Sequence, residues 1–234
     1  MVYFLKELLG TIRHVGEGRT WYLLQEVMAL DVIPSDAIIL RFDVERSLNH
    51  HLAVAKHLAK AGIFSTMYFH TRFGCYDPRI LKEISELGHE VGYHHECLDR
   101  CQGNFHKARN LFEHEINQFH RDGLNPVTVC SHGEGGLPKN GYKSNWELIQ
   151  RNPNLLAENG LIGEFYLWKE KQSLLYASDT FKSYRQFWNT LRDARIIRKP
   201  LVILVHLHRW HDTFFVSSFE IGKDVVGYLK NRTL

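Results

Sequence analysis

Short apolar runs rich in β-branched and aromatic residues alternate with amphipathic stretches along most of this chain. AIILRF (37–42) and FSTMYFH (64–70) predict strands, and SLNHHLAVAKHLAKAG (47–62) between them predicts a helix that ends at Gly62. The same order continues with a helix from Pro78 that stops at Gly88, a strand at 89–94, a helix from the Asn104 cap through Arg121, and a strand at 126–132. Strands separated by helices imply right-handed crossovers and a mainly parallel sheet.

The later segments continue this alternation less regularly. We predict strands at 161–167, 173–178 and 201–206, helices at 183–195 and 214–230, and amphipathic stretches at 2–14 and 20–30. No GxGxxG turn follows the first strand, which favours a closed or nearly closed α/β barrel over an open doubly wound sheet. No repeat or Pro/Gly/Ser linker interrupts the chain, so we expect a single catalytic domain over 1–234, of which 1–36 form an N-terminal helical extension.

Composition excludes several classes of partner and location. The 234 residues carry a formal net charge of +3, and the few basic clusters lie among apolar residues, so we expect no nucleic-acid partner. No run approaches the ~20 apolar residues of a membrane span. The N-terminus lacks the apolar core and cleavage site of a signal peptide, so we predict a cytoplasmic protein whose four cysteines are thiols. The oligomeric state does not follow from the sequence.

Acidic and histidine side chains follow nearly every predicted strand. They are Asp43-Val44-Glu45, His70, His94-His95-Glu96, Ser131-His132, Ser178-Asp179 and His206-Leu207-His208. In α/β barrels the carboxyl ends of the strands face one shared pocket, so we expect these groups to converge. A single His or Asp after a strand is commonly a loop hydrogen-bonding residue or a helix cap, and it is the joint pattern that indicates a site.

Asp43 and Glu45 stand two residues apart, and carboxylates this close repel unless a cation or proton lies between them. Together with the imidazoles they suit a divalent metal such as zinc, iron, manganese or cobalt, with a position left for water. The alternative for Glu45 or Asp43 is a cap of the helix that begins near Ser47. The sequence thus predicts a pocket for metal-assisted hydrolysis.

Five of these segments also resemble a known family. The runs ILRFDVERSLNHHLAVAKHLAKAGIFSTMYFH and YDPRILKEISELGHEVGYHHECLD, followed by CSHG, ASDT and LVHLHRW, are similar to motifs of the polysaccharide deacetylase family (NodB-homology domain, carbohydrate esterase family 4). The similarity covers about residues 37 to 215, and GHEVGYH is its most specific part. The resemblance implies a distorted (β/α) barrel of about seven parallel strands and a metal-dependent hydrolase that removes an N- or O-acetyl group from a carbohydrate.

The resemblance also implies a role for individual residues. Asp43 matches the general base, His206 the general acid, and Glu45 and His94 two metal ligands. The metal expected from the family is zinc, with cobalt, manganese, iron or nickel as alternatives. We further predict four substrate-binding residues: Asp179, Arg209, Trp210 and Glu96.

The sequence departs from the family's motifs at the metal site. The second metal histidine of the family falls on Leu98, the metal acid is Glu45 where Asp is commoner, and PVTVCSHG replaces the Arg-Pro motif that steadies the base. Glu96, His95 and His132 are the candidates to complete the coordination, with His132 preferred because it ends its own strand.

Two other functions remain open at this stage. A catalytically degenerate member would only bind glycan or a partner protein, and Leu98 supports that alternative. A different barrel hydrolase, such as a phosphoesterase, would hold two metals roughly 3.5–4 Å apart. Aromatic residues near strand ends are candidates for stacking on sugar rings, although residues there are more often core: Tyr68, Tyr93, Trp168 and Trp210.

Overall fold

A computed structural model describes residues 3–72, 74–133, 141–180 and 184–211. The strands, in chain order, are β1 (Tyr3–Phe4), β2 (Thr20–Tyr22), β3 (Ala37–Val44), β4 (Thr66–Phe69), β5 (Glu90–His95), β6 (Thr128–Ser131), β7 (Gly163–Glu164), β8 (Leu175–Ser178), β9 (Leu201–Val205) and β10 (Trp210–His211). The α-helices are α1 (Leu5–Val15), α2 (Leu24–Met28), α3 (Leu48–Lys60), α4 (Pro78–Glu86), α5 (Cys97–Arg100), α6 (Phe105–Arg121), α7 (Glu147–Arg151), α8 (Leu155–Glu158), α9 (Phe165–Lys169) and α10 (Tyr184–Asp193). Within these ranges, no helix combines the length and the apolar character needed to cross a bilayer.

The main sheet is parallel and curls into a half-barrel, which confirms the predicted α/β class and strand number. Its order is β7-β6-β5-β4-β3-β9-β8, and β2 pairs with the start of β3. The edge strands β7 and β8 do not pair with each other in the part of the chain described, so the barrel is open between them. Parallel neighbours are joined by helical crossovers, as the alternation in the sequence predicts.

The central strand β3 is buried along its whole length and separates two apolar clusters. Ile38, Leu40 and Phe42 belong to the larger cluster, which the helices cover. Ala37 and Ile39 point to the other face, toward a smaller cluster. Because side chains alternate along a strand, this second face is also the one on which Arg41 and Asp43 lie.

Several predicted boundaries are confirmed by local chemistry. Asn104 caps α6 by accepting a hydrogen bond from the Lys107 amide at 3.0 Å. Asp77 caps α4, in which Pro78 is the first residue. Gly88 ends that segment with φ 93°, a left-handed conformation that glycine adopts without strain.

Two predictions about secondary structure are wrong in part. The segment 161–167 is a strand only at Gly163–Glu164, because the Glu164 carboxylate accepts from the Leu167 amide at 2.8 Å and starts α9. The stretch 20–30, predicted as helical, begins with the β-forming residues of β2, which pair with β3 from Thr20 to Tyr22. The first 36 residues therefore contribute two short strands, β1 and β2, as well as helices. The predicted helix at 214–230 lies outside the described residues.

Candidate metal centre and its acid–base groups

The predicted functional side chains lie at the carboxyl ends of five adjacent strands. In the order β6-β5-β4-β3-β9 these ends carry His132, His94, His70, the pair Asp43 and Glu45, and His206. Parallel strands present their carboxyl ends at one edge, so residues distant in sequence become neighbours. This edge is the candidate site.

Three histidines form its centre. One ring nitrogen from each of His70, His94 and His132 lies within 4.8 Å of the others, a spacing that suits ligation of one ion. The centroid of the His70 ring is 4.5 Å from that of His94 and 5.2 Å from that of His132. All three side chains come from strand ends, so the backbone of the sheet fixes their approach.

The hydrogen bonds of this trio fit a metal. His94 Nδ1 lies 3.0 Å from the Cys130 carbonyl, to which it must donate, so its Nε2 presents a lone pair. That Nε2 and the Nε2 of His70 are buried without a hydrogen-bond partner, as is Nδ1 of His132. Buried polar atoms are normally satisfied, and three adjacent imidazoles that each carry an unpartnered buried nitrogen match the donor set of a divalent ion such as zinc.

Electrostatics keeps two of these imidazoles neutral. Burial lowers the pKa of His94 to about 4, although Asp43 acts in the opposite direction. Burial, with His94 and Arg72 adding to it, lowers the pKa of His70 well below its usual value. Burial opposes the charged form of His132 as well, but its hydrogen bond to Glu45 raises its pKa. Neutral imidazole is the form that ligates metal.

Glu45 borders the trio and also reaches the last strand. Its Oε1 lies 3.3 Å from His132 Nε2 and 3.9 Å from His206 Nε2, and its Oε2 lies 3.7 Å from His208 Nε2. Burial opposes ionisation, yet His132 and His206 hold the pKa of Glu45 far below its usual range. Glu45 is thus an anionic carboxylate beside His132, His206 and His208, and it can supply the predicted acidic ligand. The alternative that Glu45 caps a helix fails, because α3 has no side-chain cap at its start.

Asp43 is held by a buried guanidinium. Arg41 Nε lies 2.7 Å from Asp43 Oδ1 and its terminal nitrogen 2.6 Å from Oδ2. Phe165 stacks on the guanidinium, whose carbon is 4.2 Å from the ring centroid. Burial opposes the charge on Asp43, but Arg41 and then His94 lower the pKa of this carboxyl. Its Oδ2 faces the trio, at 3.6 Å from His94 Nε2.

Cys130 forms a second candidate metal group with Asp43 and His94. Its sulfur, however, lies 2.7 Å from an Arg41 nitrogen, and burial raises the pKa of the thiol well above its usual value. Only the thiolate is a good ligand, so the histidine trio is the better site.

His206 faces the centre from the opposite side and is paired with the carboxylate of Asp179. Its Nδ1 lies 2.6 Å from Asp179 Oδ1, and its backbone amide donates to Oδ2 at 2.8 Å. Burial opposes protonation, but Asp179 raises the pKa of His206 above its usual value. With Nδ1 engaged, Nε2 points toward Asp43, 3.9 Å from its Oδ2. The arrangement places His206, whose protonated form Asp179 favours, opposite the Asp43 carboxylate.

Two of the predicted substrate-binding residues need correction. Trp210 is 1% exposed and donates its indole N–H to Asp179 Oδ2 at 2.7 Å, so its ring has no free face for a sugar. Asp179 is also 1% exposed, and both of its carboxylate oxygens are occupied by His206 and Trp210. Asp179 orients His206, and Trp210 in turn orients Asp179. Tyr68 and Tyr93 are fully buried core residues, as their position predicted.

The other two predicted substrate-binding residues border the site. Glu96 Oε2 lies 3.7 Å from His132 Nδ1 and 3.3 Å from Arg72. Arg209 is partly exposed and donates to the Asp179 carbonyl at 2.9 Å. Substrate contact by either residue stays a prediction.

Sequence reasoning missed two residues of this site. His70 was visible as a strand-end histidine but was not among the predicted ligands, because the family motif placed the second histidine at Leu98. Leu98 lies in α5 and is fully buried in the larger core. Arg41 was hidden inside the apolar run AIILRF, where a single cation in a buried strand was the available signal.

No protein-family model and no curated protein matches the chain. A family 4 carbohydrate esterase from Streptomyces lividans, solved with acetate, is 19% identical with a TM-score of 0.42, covering 82% of this chain and 88% of that one. The catalytic domain of a peptidoglycan N-acetylglucosamine deacetylase from Eubacterium rectale is 16% identical with a TM-score of 0.48, over 72% and 75%. A CE4 family pseudoenzyme from Bacillus anthracis is 14% identical with a TM-score of 0.40, over 80% and 59%. Identities this low leave the choice between hydrolase and binding module to the chemistry of the site.

Proposed function

We propose that this protein is a metal-dependent hydrolase that removes an acetyl group from an N- or O-acetylated carbohydrate. The observation that carries the proposal is the cluster of His70, His94 and His132, each with an unpartnered buried nitrogen, beside the Asp43 carboxylate. A site with three clustered imidazoles, a flanking base and an opposed acid is suited to hydrolysis.

The trio would hold one divalent cation, with Glu45 as the adjacent acidic ligand. When bound, the cation would polarise the acetyl carbonyl and lower the pKa of a water molecule to about 7. Zinc is the metal proposed, because three imidazoles and a carboxylate are among its preferred donors.

Asp43 acts as the general base in this proposal. It accepts the proton of the attacking water, whose oxygen forms the new bond to the acetyl carbon. Arg41 fixes both carboxylate oxygens, so Asp43 meets the water in one orientation. Its lowered pKa keeps it ionised at neutral pH, the form that a base requires.

His206 acts as the general acid on the leaving group. As the carbon–nitrogen or carbon–oxygen bond breaks, Nε2 gives its proton to the departing amine or alcohol, and acetate is released. Asp179 raises the pKa of His206, which favours the protonated form that a proton donor requires. The overall reaction consumes one water and yields acetate and a free amine or hydroxyl.

The test measures metal content and acetate release together. Purified protein should contain one divalent ion per chain and release acetate from acetylated sugars, and a chelator should abolish release until zinc or cobalt is restored. Asp43→Asn should lower the rate by at least 100-fold, whereas Asp193→Asn on the exposed end of α10 should not change it.

Metal-loaded protein that releases no acetate from any N- or O-acetylated sugar would contradict the proposal. It would favour the alternative of a catalytically degenerate binding module. The cytoplasmic location stays a prediction.

A further inference from the structure

We propose that the site takes acetylated sugars that carry a negative charge, a phosphate or a carboxylate, and that Arg72 and Arg209 form the subsite for that anion. This inference rests on the proposed function and names the substrate class of the same pocket. It is carried by the exposure of these two arginines, which follow strand ends that carry site histidines, and by the way charges are matched inside.

Arg72 and Arg209 stand on either side of β3. Arg72 comes two residues after the ligand candidate His70 at the end of β4, and Arg209 three residues after His206 at the end of β9. The strands β4 and β9 both pair with β3, so two strand spacings of about 4.8 Å separate their ends. A phosphorylated or carboxylated sugar is large enough to meet both sides of such an opening.

The carboxylates inside the site are already matched by cations of the site itself. Asp43 pairs with Arg41 in a bidentate contact, and Asp179 pairs with His206 at 2.6 Å. Glu45 lies beside the proposed metal ion, whose positive charge would match the negative charge of Glu45. The rim arginines are therefore not required to neutralise these inner acids.

Both rim arginines keep donors for a ligand. Arg72 contacts Glu96 with one terminal nitrogen at 3.3 Å, while 42% of its side chain is exposed. Arg209 is partly exposed and makes its described contact with a neutral backbone carbonyl, that of Asp179. A guanidinium has five N–H donors, and its planar fork matches phosphate and carboxylate oxygens.

The other role open to these arginines is structural. Arg72 would then only steady Glu96, and Arg209 only the turn that carries Asp179. In that case their loss would affect neutral and anionic sugars equally, which separates the two roles by experiment.

Binding is measured first, with sugars that have no acetyl group to lose. Glucose, glucose 1-phosphate, glucose 6-phosphate and glucuronate are titrated into the zinc-loaded protein by calorimetry, so that the phosphate and carboxylate sources are separate arms. We expect at least one anionic sugar to bind at least tenfold more tightly than glucose. Arg72→Gln or Arg209→Gln should reduce that preference at least fivefold, and 0.5 M salt should weaken it in the wild type.

Arg192→Gln is the matched control. This side chain is 70% exposed on α10, near the helix end that leads to the start of β9 at the opposite edge of the sheet, so its loss should leave binding unchanged. Equal affinities for glucose and all three anionic sugars would overturn the inference. So would a preference that persists undiminished in both rim variants.

Acetate release distinguishes this inference from the proposed function. Equal values of kcat/KM for N-acetylglucosamine and its 6-phosphate and 1-phosphate would contradict the anion subsite but not the proposed hydrolase activity. Arginine-dependent binding of anionic sugars without any acetate release would support the anion subsite and contradict the hydrolase activity.

Discussion

Arg41 and Asp43 illustrate how single residues of β3 carry chemistry within an apolar strand. The guanidinium is fully buried and contacts both oxygens of the carboxylate, so neither charge is solvated by water. Removing one partner of such a pair leaves the other charged and uncompensated. We therefore expect the loss of either residue to affect both the stability of the fold and the activity of the site.

Arg41→Met should lower the free energy of unfolding by about 3–5 kcal/mol, because it leaves Asp43 buried without its counter-charge. Denaturant unfolding of the two proteins measures this difference. The double variant Arg41→Met/Asp43→Leu should recover much of the loss, since it removes both charges. A loss under about 1 kcal/mol in the single variant would show that the pair does not need both partners.

His70→Ala should weaken metal binding at least tenfold, because it removes one of three facing imidazoles. Competition with a zinc chelator of known affinity measures the change. His57→Ala, on an exposed position of α3, is the matched control and should bind metal as the wild type does. Unchanged affinity in the His70 variant would remove His70 from the proposed ligand set.

Asp179→Asn should shift the alkaline limb of the pH dependence of kcat/KM to lower pH. Asp179 raises the pKa of His206, so the protonated acid persists above its usual titration range and is lost as pH rises through the raised value. Without the carboxylate this pKa falls, and activity is lost at a lower pH. An alkaline limb that does not move in the variant would show that another group sets it.

At the scale of elements, the tight contact between β4 and β5 positions the histidines that end them. Gly92 is in register with Tyr68, and a Cβ at position 92 would lie 2.4 Å from the Tyr68 ring and 3.0 Å from the Thr128 carbonyl. The Tyr68 hydroxyl in turn bonds Thr128 at 2.8 Å. A side chain at position 92 would therefore force the Tyr68 ring or the Thr128 carbonyl to shift.

Gly92→Ala should therefore destabilise the fold by about 1–3 kcal/mol through overpacking. Gly10→Ala in α1 is the control, since a Cβ there meets nothing within 4 Å and alanine favours a helix. The control should be neutral or up to about 1 kcal/mol more stable. Thermal unfolding of both variants compares them, and equal stability would contradict the close approach seen at Gly92.

Elements with strong periodicity and clear end signals could be predicted from the sequence, and those decided by tertiary contacts could not. The cap at Asn104 and the stop at Gly88 fix α6 and α4 by local chemistry alone. The run 161–167 has the composition of a strand, but a glutamate side chain in its middle starts a helix. β2 forms because the edge of β3 is available to it, a fact that no local pattern contains.

At the scale of the molecule, most residues of the site could be predicted from the sequence, but which of them lie in contact could not. Strand-end positions predicted that Asp43, His70, His94 and His206 lie at one edge, because a parallel barrel brings such ends together, and the family resemblance assigned roles to all of these except His70. The order of the strands decides which groups touch, and that order makes β4 the neighbour of both β3 and β5. His70 thus enters the centre, a position that spacing along the chain does not reveal.

The central claim is that His70, His94 and His132 hold one divalent ion at the carboxyl edge of the sheet. Anomalous diffraction at the zinc absorption edge, from crystals of zinc-loaded protein, tests it directly. We predict a single strong peak bounded by the three imidazoles, with zinc–nitrogen distances of about 2.0–2.1 Å. A peak elsewhere, or none among these three side chains in crystals soaked with excess zinc, would contradict the claim.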